Sequence, residues 1–276
     1  MAFIARSTMK PPLGAQLNPA HPFAFQARFL SLFNEPVRKA GDAYFNLIPP
    51  AVGYATNTTP PLTYIQGGTP VATSNRGGMA VSLTDADFYI IGADQGWMPT
   101  AAGTVAVIRR KQDTTNRATT LVSEVGDTLS LYGPWSGGQI IWRVSGTDVT
   151  TDVLTWSTSA PDAIVCTFGP SGSTVWVNGV KRGSQSTPVT RTNYGSPGHQ
   201  LCVNAGARSG DVIDVNFVQV SETQWSDDLC RWWSAEPYAH LYSEAAQRRY
   251  FLMGNTASGV VGAPTTYYAQ QQQQGM

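Results

Sequence analysis

The carboxylates are the side chains best suited to chemistry in this 276-residue chain, and their spacing argues against catalysis. Retaining glycoside hydrolysis needs two carboxyl groups about 5–5.5 Å apart. The glutamates stand at Glu35, Glu124, Glu222, Glu236 and Glu244, and no two are spaced to share one strand face. Asp211 and Asp214 differ in parity, so on a strand they point to opposite faces. Asp85 and Asp87 share parity but flank a turn, where solvation accounts for them.

Nucleophiles and metal ligands fare no better. His21 lies in a proline-rich leader, His199 in a Pro-Gly-His turn, and His240 in a C-terminal helical pattern. Cys202 follows His199 closely but reads as a core strand residue. The cysteines Cys166, Cys202 and Cys230 are scattered, which gives neither a zinc spacing nor a disulfide framework. Buried free thiols are the expectation; a Cys166–Cys202 bridge between neighbouring strands is the alternative, and nothing in the spacing demands it. Asp85, Asp87, Asp148 and Asp152 are oxygen donors of the kind calcium takes, and ordinary turn formation explains each of them. No metal or cofactor is expected. The chain also lacks a phosphate loop and a Gly-x-Ser-x-Gly elbow.

Sugar binding would need an exposed aromatic platform beside amides or carboxylates. Trp135, in the Gly-rich turn YGPWSGG, is the best candidate, and Trp97 is the second. Either indole is equally suited to anchoring a neighbouring subunit. Trp142, Trp156 and Trp176 sit inside strand patterns, where core packing is the default.

Composition narrows the partners. The formal net charge is zero and charged residues make up 13% of the chain, so no field steers it to nucleic acid. The basic run at IRRKQDTTNR alternates Arg109 and Arg110 between faces and forms no stripe. No run approaches the roughly 18 apolar residues of a membrane helix. No signal peptide is read in MAFIARSTMKPPLG, so action outside a cell implies lysis or carriage on a particle.

Positioning falls to β-structure. Residues 1–28 carry Pro11, Pro12, Pro19 and Pro22 and read as an extended arm. Its apolar anchors are Phe3, Ile4, Leu13, Leu17, Phe23 and Phe25, too many for a disordered tail. Strands are expected at FLSLF (Phe29–Phe33) and DAYFNLI (Asp42–Ile48), and residues 49–75 read as an irregular insertion. From residue 77 onward strands recur at 8–12-residue spacing with turn signals between them, which indicates a sandwich or barrel. DVLTWST (Asp152–Thr158) belongs to this series. In STVWVNGVKRGS, Val175 and Val177 face one way and Thr174 and Trp176 the other. Asn178-Gly179 then turns the chain as a two-residue hairpin. Ser226 caps a helix with Asp227 and Asp228 in its first turn, Leu229, Trp232 and Trp233 on its apolar side, and Pro237 behind it. A second helical pattern follows from Tyr238 to Phe251. Residues 250–276 form a second arm with Tyr267 and Tyr268 and a Gln run.

Three stretches carry a resemblance: KPPLGAQLNPAHPFAFQARFLSLFNE, STVWVNGVKRG and DVNFVQVSETQWSDDLCRWWSAEPYAHL. Together they resemble bacteriophage virion proteins with a concanavalin A-like lectin/glucanase module of the laminin-G-like type. The exit Ala235-Glu236-Pro237 departs from the family's Asn before Pro. The resemblance implies an all-β, two-sheet antiparallel jelly roll over residues 29–249 with a short C-terminal helical segment. It also implies a virion protein, a capsid or tail accessory made in the host cytoplasm; a single module without coiled-coil heptads or a fibre-like repeat favours the capsid surface over the tail, and the carboxylate spacing a non-enzymatic role. Its partners would be the major capsid protein or other virion subunits, with copies forming a homo-oligomer on the particle and no nucleic acid or membrane. Phe3, Ile4, Leu13, Leu17, Phe23, Phe25, Tyr267 and Tyr268 would make the assembly contacts. The alternative is a tail or head appendage that binds a glycan through Trp97 and Trp135.

Overall fold

The computed structural model describes residues 10–11, 15–18, 20–24, 27–33, 43–44, 62–66, 69–73, 78–83, 88–91, 99–112, 120–123, 129–133, 137–191 and 213–242. In chain order the first strands are β1 (Gln16–Leu17), β2 (Ala27–Ser31), β3 (Ala43–Tyr44), β4 (Leu62–Gln66), β5 (Thr69–Thr73) and β6 (Gly78–Leu83). Then come β7 (Phe88–Ile91), β8 (Gly103–Lys111), β9 (Thr120–Ser123), β10 (Leu129–Tyr132), β11 (Ile141–Val144) and β12 (Thr147–Thr150). The last elements are β13 (Asp162–Gly169), β14 (Gly172–Val177), β15 (Val180–Gln185), β16 (Ile213–Ser221), helix α1 (Asp227–Ala235) and β17 (Leu241–Tyr242).

These elements make an antiparallel jelly-roll sandwich of the concanavalin A-like kind, with a short C-terminal helix. One sheet has eight strands in the order β15-β14-β13-β8-β16-β6-β5, and β2 also pairs with β16. The facing sheet is β12-β11-β10-β9. A small sheet, β3-β4-β7, and the two-stranded β1-β17 complete the described strands.

Alternation along each strand builds two apolar layers. Val105, Val107, Ile164, Cys166, Val175 and Val177 point between the sheets, where they meet Leu129, Leu131 and Trp142 of the smaller sheet. Ala106, Ile108, Ala163, Val165 and Trp176 point to the other side of the large sheet and pack under α1 and the N-terminal segment. Central strands β13 and β16 are therefore buried on both faces along their whole length. In β16 a bulge between Val215 and Phe217 shifts the register. It lets Val215 and Val218 both face the inter-sheet core although their parities differ.

The helix forms as its residues dictate. The Ser226 Oγ accepts from the Leu229 N–H at 3.3 Å, and Asp227 and Asp228 stand in the positive first turn. Cys230, Trp233 and Ser234 are its buried residues, and Pro237 lies just past its end.

Three expectations need correction. The 49–75 stretch is not irregular throughout: it contains β4 and β5, which pair with β7 and β6. Its prolines hide this in the sequence; Pro70 is tolerated because β5 ends the sheet. DVLTWST forms no strand, and β12 takes its place beside β11. Its alternation reflects one-sided burial without a ladder, with Val153 71% exposed and Leu154 packed on the core. Tyr238 does not begin a second helix: turns lead to β17, which pairs with β1. Residues 243–251 of that pattern, and the strand expected around Cys202, lie outside the described residues.

Candidate functional site

The outer face of the eight-stranded sheet is covered by α1 and by N-terminal residues that include Ala15, Leu17 and Phe23. Phe217 of β16 stacks on Trp233 of α1 at 5.6 Å between ring centroids. Phe23 is fully buried, 5.4 Å from Trp225 and 4.7 Å from Trp232. The Gln219 amide donates to the Phe23 carbonyl at 2.5 Å, and the Asn18 N–H donates to the His240 carbonyl at 2.8 Å. Phe23, expected to contact a neighbouring subunit, is thus held inside its own chain. Leu17 is half-buried in the same layer. Phe3, Ile4, Leu13, Phe25, Tyr267 and Tyr268 lie outside the described residues, as do Trp97 and Trp135.

The remaining indoles sort by face. Trp142 and Trp176 are buried, and their N–H groups donate to the Thr167 carbonyl and to Thr174 Oγ1. Trp156 is half-buried; it donates to the Gly138 carbonyl at 2.7 Å, with the buried Arg109 guanidinium 4.2 Å from its ring centre. Trp232, read as part of the helix's apolar side, is 39% exposed beside His21. Its indole N–H faces the Glu236 carboxylate at 3.4 Å.

Every carboxylate among the described residues accepts from a donor of this chain. Asp148 is clasped by Arg143, Asp152 pairs with Arg182, and Asp227 with Lys181. Asp228 pairs with Arg231, Glu222 with Arg28, and Glu236 faces Trp232. Asp214 is fully buried under Arg110 and Gln112, each at 2.5 Å. The described members of the calcium set, Asp148 and Asp152, are therefore ion-paired, and Asp85 and Asp87 lie outside the described residues. No group of three or more His, Cys, Asp or Glu side chains that could hold a metal occurs among the described residues. Cys166 and Cys230 are buried free thiols, so Cys166 forms no bridge to Cys202.

One carboxylate differs from the rest. Asp162 opens β13 and is one of the residues lining a cleft of about 680 Å³, between the Asn178-Gly179 turn, the segment around Ser157, and the α1 residues Arg231 and Ala235. Asp162 Oδ1 accepts from Asn178 Nδ2 at 2.8 Å, while Oδ2 is buried with no hydrogen-bond partner. Burial raises its carboxyl above the usual range, against the pull of Arg109 and of the Asn178 bond. Asn178 is itself fixed: its Oδ1 accepts from the Ala163 N–H at 2.9 Å, and its own N–H reaches the Ala163 carbonyl at 2.8 Å. Both turn residues have positive φ, 51° at Asn178 and 79° at Gly179, as the tight hairpin requires. The sequence reading identified this turn but not its second use. The tie between Asp162 and Asn178 follows from the β13–β14 register, which sets Ile164 opposite Val177, and that register was countable from the Gly169–Gly172 turn.

The architecture has solved counterparts. The binding domain of Paraclostridial Mosquitocidal Protein 1 superposes with a TM-score of 0.56 at 14% identity, over 76% of this chain and 52% of that one. The binding domain of botulinum neurotoxin serotype D/C gives 0.54 at 9%, over 76% and 51%. Trypanosoma rangeli sialidase in complex with sialic acid gives 0.52 at 10%, over 80% and 36%. The chain thus spans about half of the toxin domains and about a third of the sialidase chain, and at these identities the likeness establishes the fold. No family model and no curated protein matches the sequence. The fold is of the lectin-like kind found in toxin binding domains.

Proposed function

We propose that this chain is a non-enzymatic structural protein of a bacteriophage particle, a capsid decoration or accessory protein that displays its jelly roll outward. The observation that carries the non-enzymatic reading is that every carboxylate among the described residues accepts from a donor of the chain itself, which leaves no unengaged acid–base pair among those residues. The phage setting rests on the leader KPPLGAQLNPAHPFAFQARFLSLFNE. Its described residues Ala15, Leu17, Phe23, Ala27, Leu30 and Leu32 pack in the outer layer of the large sheet, so lattice contacts would fall to other residues and to exposed faces of the sandwich. Cryo-electron microscopy of the source particles tests this. Regular copies on the shell support the proposal; density confined to the tail, or none, overturns the capsid placement.

A second reading is favoured by the fold itself. Its solved counterparts include domains described as binding domains of toxins, which supports an appendage that recognises host-surface or environmental glycans. Fold alone does not assign a ligand. Saturable binding of the isolated protein to a glycan supports this reading, and the absence of any such binding removes it.

A further inference from the structure

We propose that Trp232 is the stacking platform of a neutral-sugar site, with the Nε2–H of His21 as the hydrogen-bond donor beside it. The inference rests on the glycan-recognition reading and gives it a place on the outer layer. Of the aromatic side chains whose burial the structure describes, Trp232 alone is exposed, at 39%. The ring is also held in place. Its indole N–H donates to Glu236 Oε2 at 3.4 Å, the Glu236 N–H donates to the Trp232 carbonyl at 2.9 Å, and buried Phe23 packs 4.7 Å away between ring centroids. A ring fixed beforehand loses little freedom when a ligand stacks on it.

His21 supplies the polar contact. Its ring centre is 5.0 Å from that of Trp232. Its Nδ1 accepts from the Phe23 N–H at 3.2 Å, which places the proton of the neutral ring on Nε2. That Nε2–H has no hydrogen-bond partner among the described residues, and unlike both ring nitrogens of buried His240 it reaches solvent. An accessible donor beside an exposed apolar ring matches a pyranose, whose C–H face stacks while a hydroxyl oxygen at its rim accepts. Other occupants fit worse. A subunit interface covers about 800 Å² on each partner, and one partly exposed ring is far below that. A stacked nucleobase brings a phosphate, which needs a cation close by. Arg231, the neighbour of Trp232 in α1, pairs with Asp228 at 3.1 Å and stands 5.6 Å from the Trp176 ring. That cation is engaged elsewhere, which disfavours an acidic sugar equally.

NMR on the full chain tests the site, with glucose, galactose, mannose and N-acetylglucosamine as neutral probes and N-acetylneuraminic acid as the charged comparator. The readouts are saturation transfer to the sugar and the indole N–H resonance of Trp232, identified by its loss in Trp232→Phe. At least one neutral sugar is expected to show transfer and to shift that resonance saturably in the native protein, which needs no variant to fold. Trp232→Ala should weaken binding about tenfold or more, the scale of a lost stacking ring. His21→Asn keeps an oxygen for the Phe23 N–H and removes the Nε2–H, and should weaken binding about threefold or more. Val153→Ala, at another exposed apolar residue, should change it by less than about twofold. A Trp232 resonance unmoved by every neutral sugar at about 10 mM, binding untouched by Trp232→Ala, or a response to the acidic sugar alone would each overturn the proposal. So would a resonance that moves with protein concentration in the absence of sugar, which would assign the ring to a second copy of the chain. If a sugar shows transfer without moving Trp232, glycan recognition stands and this site falls; if none shows transfer, both fall. The particle placement is decided separately by the images.

Discussion

The imidazole of His240 lies 5.9 Å from that of His21, ring centre to ring centre, where the N-terminal segment meets the end of the chain's described part. Both are held neutral. His240 is fully buried against Phe23 and Phe217, and burial, with a smaller push from His21, lowers its pKa to about 3. His21 is lowered by burial, partly offset by Glu236, and its Nδ1 accepts from the Phe23 N–H at 3.2 Å, which a protonated ring cannot do.

The sign of the pH dependence follows. Folded pKa values below the unfolded 6.5 mean that the unfolded chain binds more protons. The contribution of the two histidines is complete above pH 6.5 and is lost as pH falls from there toward 3. The slope approaches about 1.4 kcal/mol per pH unit for His240, with less from half-exposed His21. Asp162 acts oppositely: its raised pKa is a cost above its titration that acid relieves. Thermal unfolding at pH 7, 6, 5 and 4.5 should show a falling midpoint, and His240→Phe should flatten the curve. A midpoint independent of pH in the native protein would contradict the burial of these rings.

Phe23→Ala should destabilise the fold by about 3–5 kcal/mol. The ring has no solvent exposure and touches Trp225, Trp232, His21 and His240. Urea unfolding measures this. A loss under about 1 kcal/mol would mean that the leader does not belong to the folded body and is free to reach a neighbour.

Gly172→Ala should be more damaging than its size suggests. The residue has φ of 89°, and a Cβ there would stand 2.0 Å from the Gln185 carbonyl oxygen. Because the obstacle is backbone, β15 would have to move away from β14, and a cost above about 2 kcal/mol is expected. Gly146 has φ of 80° but nothing within 4 Å of its Cβ position, so Gly146→Ala isolates the backbone term. Comparable losses in the two variants, read by chemical denaturation, would show that the steric clash is not real.

The sheets were legible in the sequence wherever one strand face differed from the other. Val175 and Val177 against Trp176 is such a case, and the structure divides them between the two apolar layers. Ser226 with its two aspartates was equally readable, because a cap acts over a single turn. What escaped was decided by partners far along the chain. Pro70 disguised a strand that only its place at the sheet edge permits. Leu241 and Tyr242 look helical in isolation and become a strand because Gln16 and Leu17 lie alongside. Nor does the sequence order Trp232 and Trp233: one turns inward onto Phe217 and the other remains partly in solvent. The cleft was hidden for the same reason: the Asp162–Asn178 tie could be counted across the β13–β14 hairpin, but α1, which forms the other wall, comes from far along the chain.

The buried thiols give the last prediction. Cys166 lies fully buried between the sheets, and burial, with a smaller contribution from Cys230, pushes its pKa well above the ordinary thiol range. Cys230 lies on the buried side of α1, where burial and nearby Asp227 push it up to about 12, against the pull of Lys181. The reactive species is the thiolate, so neither residue supplies one at pH 8, and neither is reached without unfolding. Iodoacetamide at pH 8 followed by peptide mass mapping should leave both unmodified in the native protein and label both in urea. Labelling of Cys230 alone under native conditions would mean that α1 lifts from the sheet. That would expose Trp233 and Phe217 together and open the layer that the N-terminal segment seals.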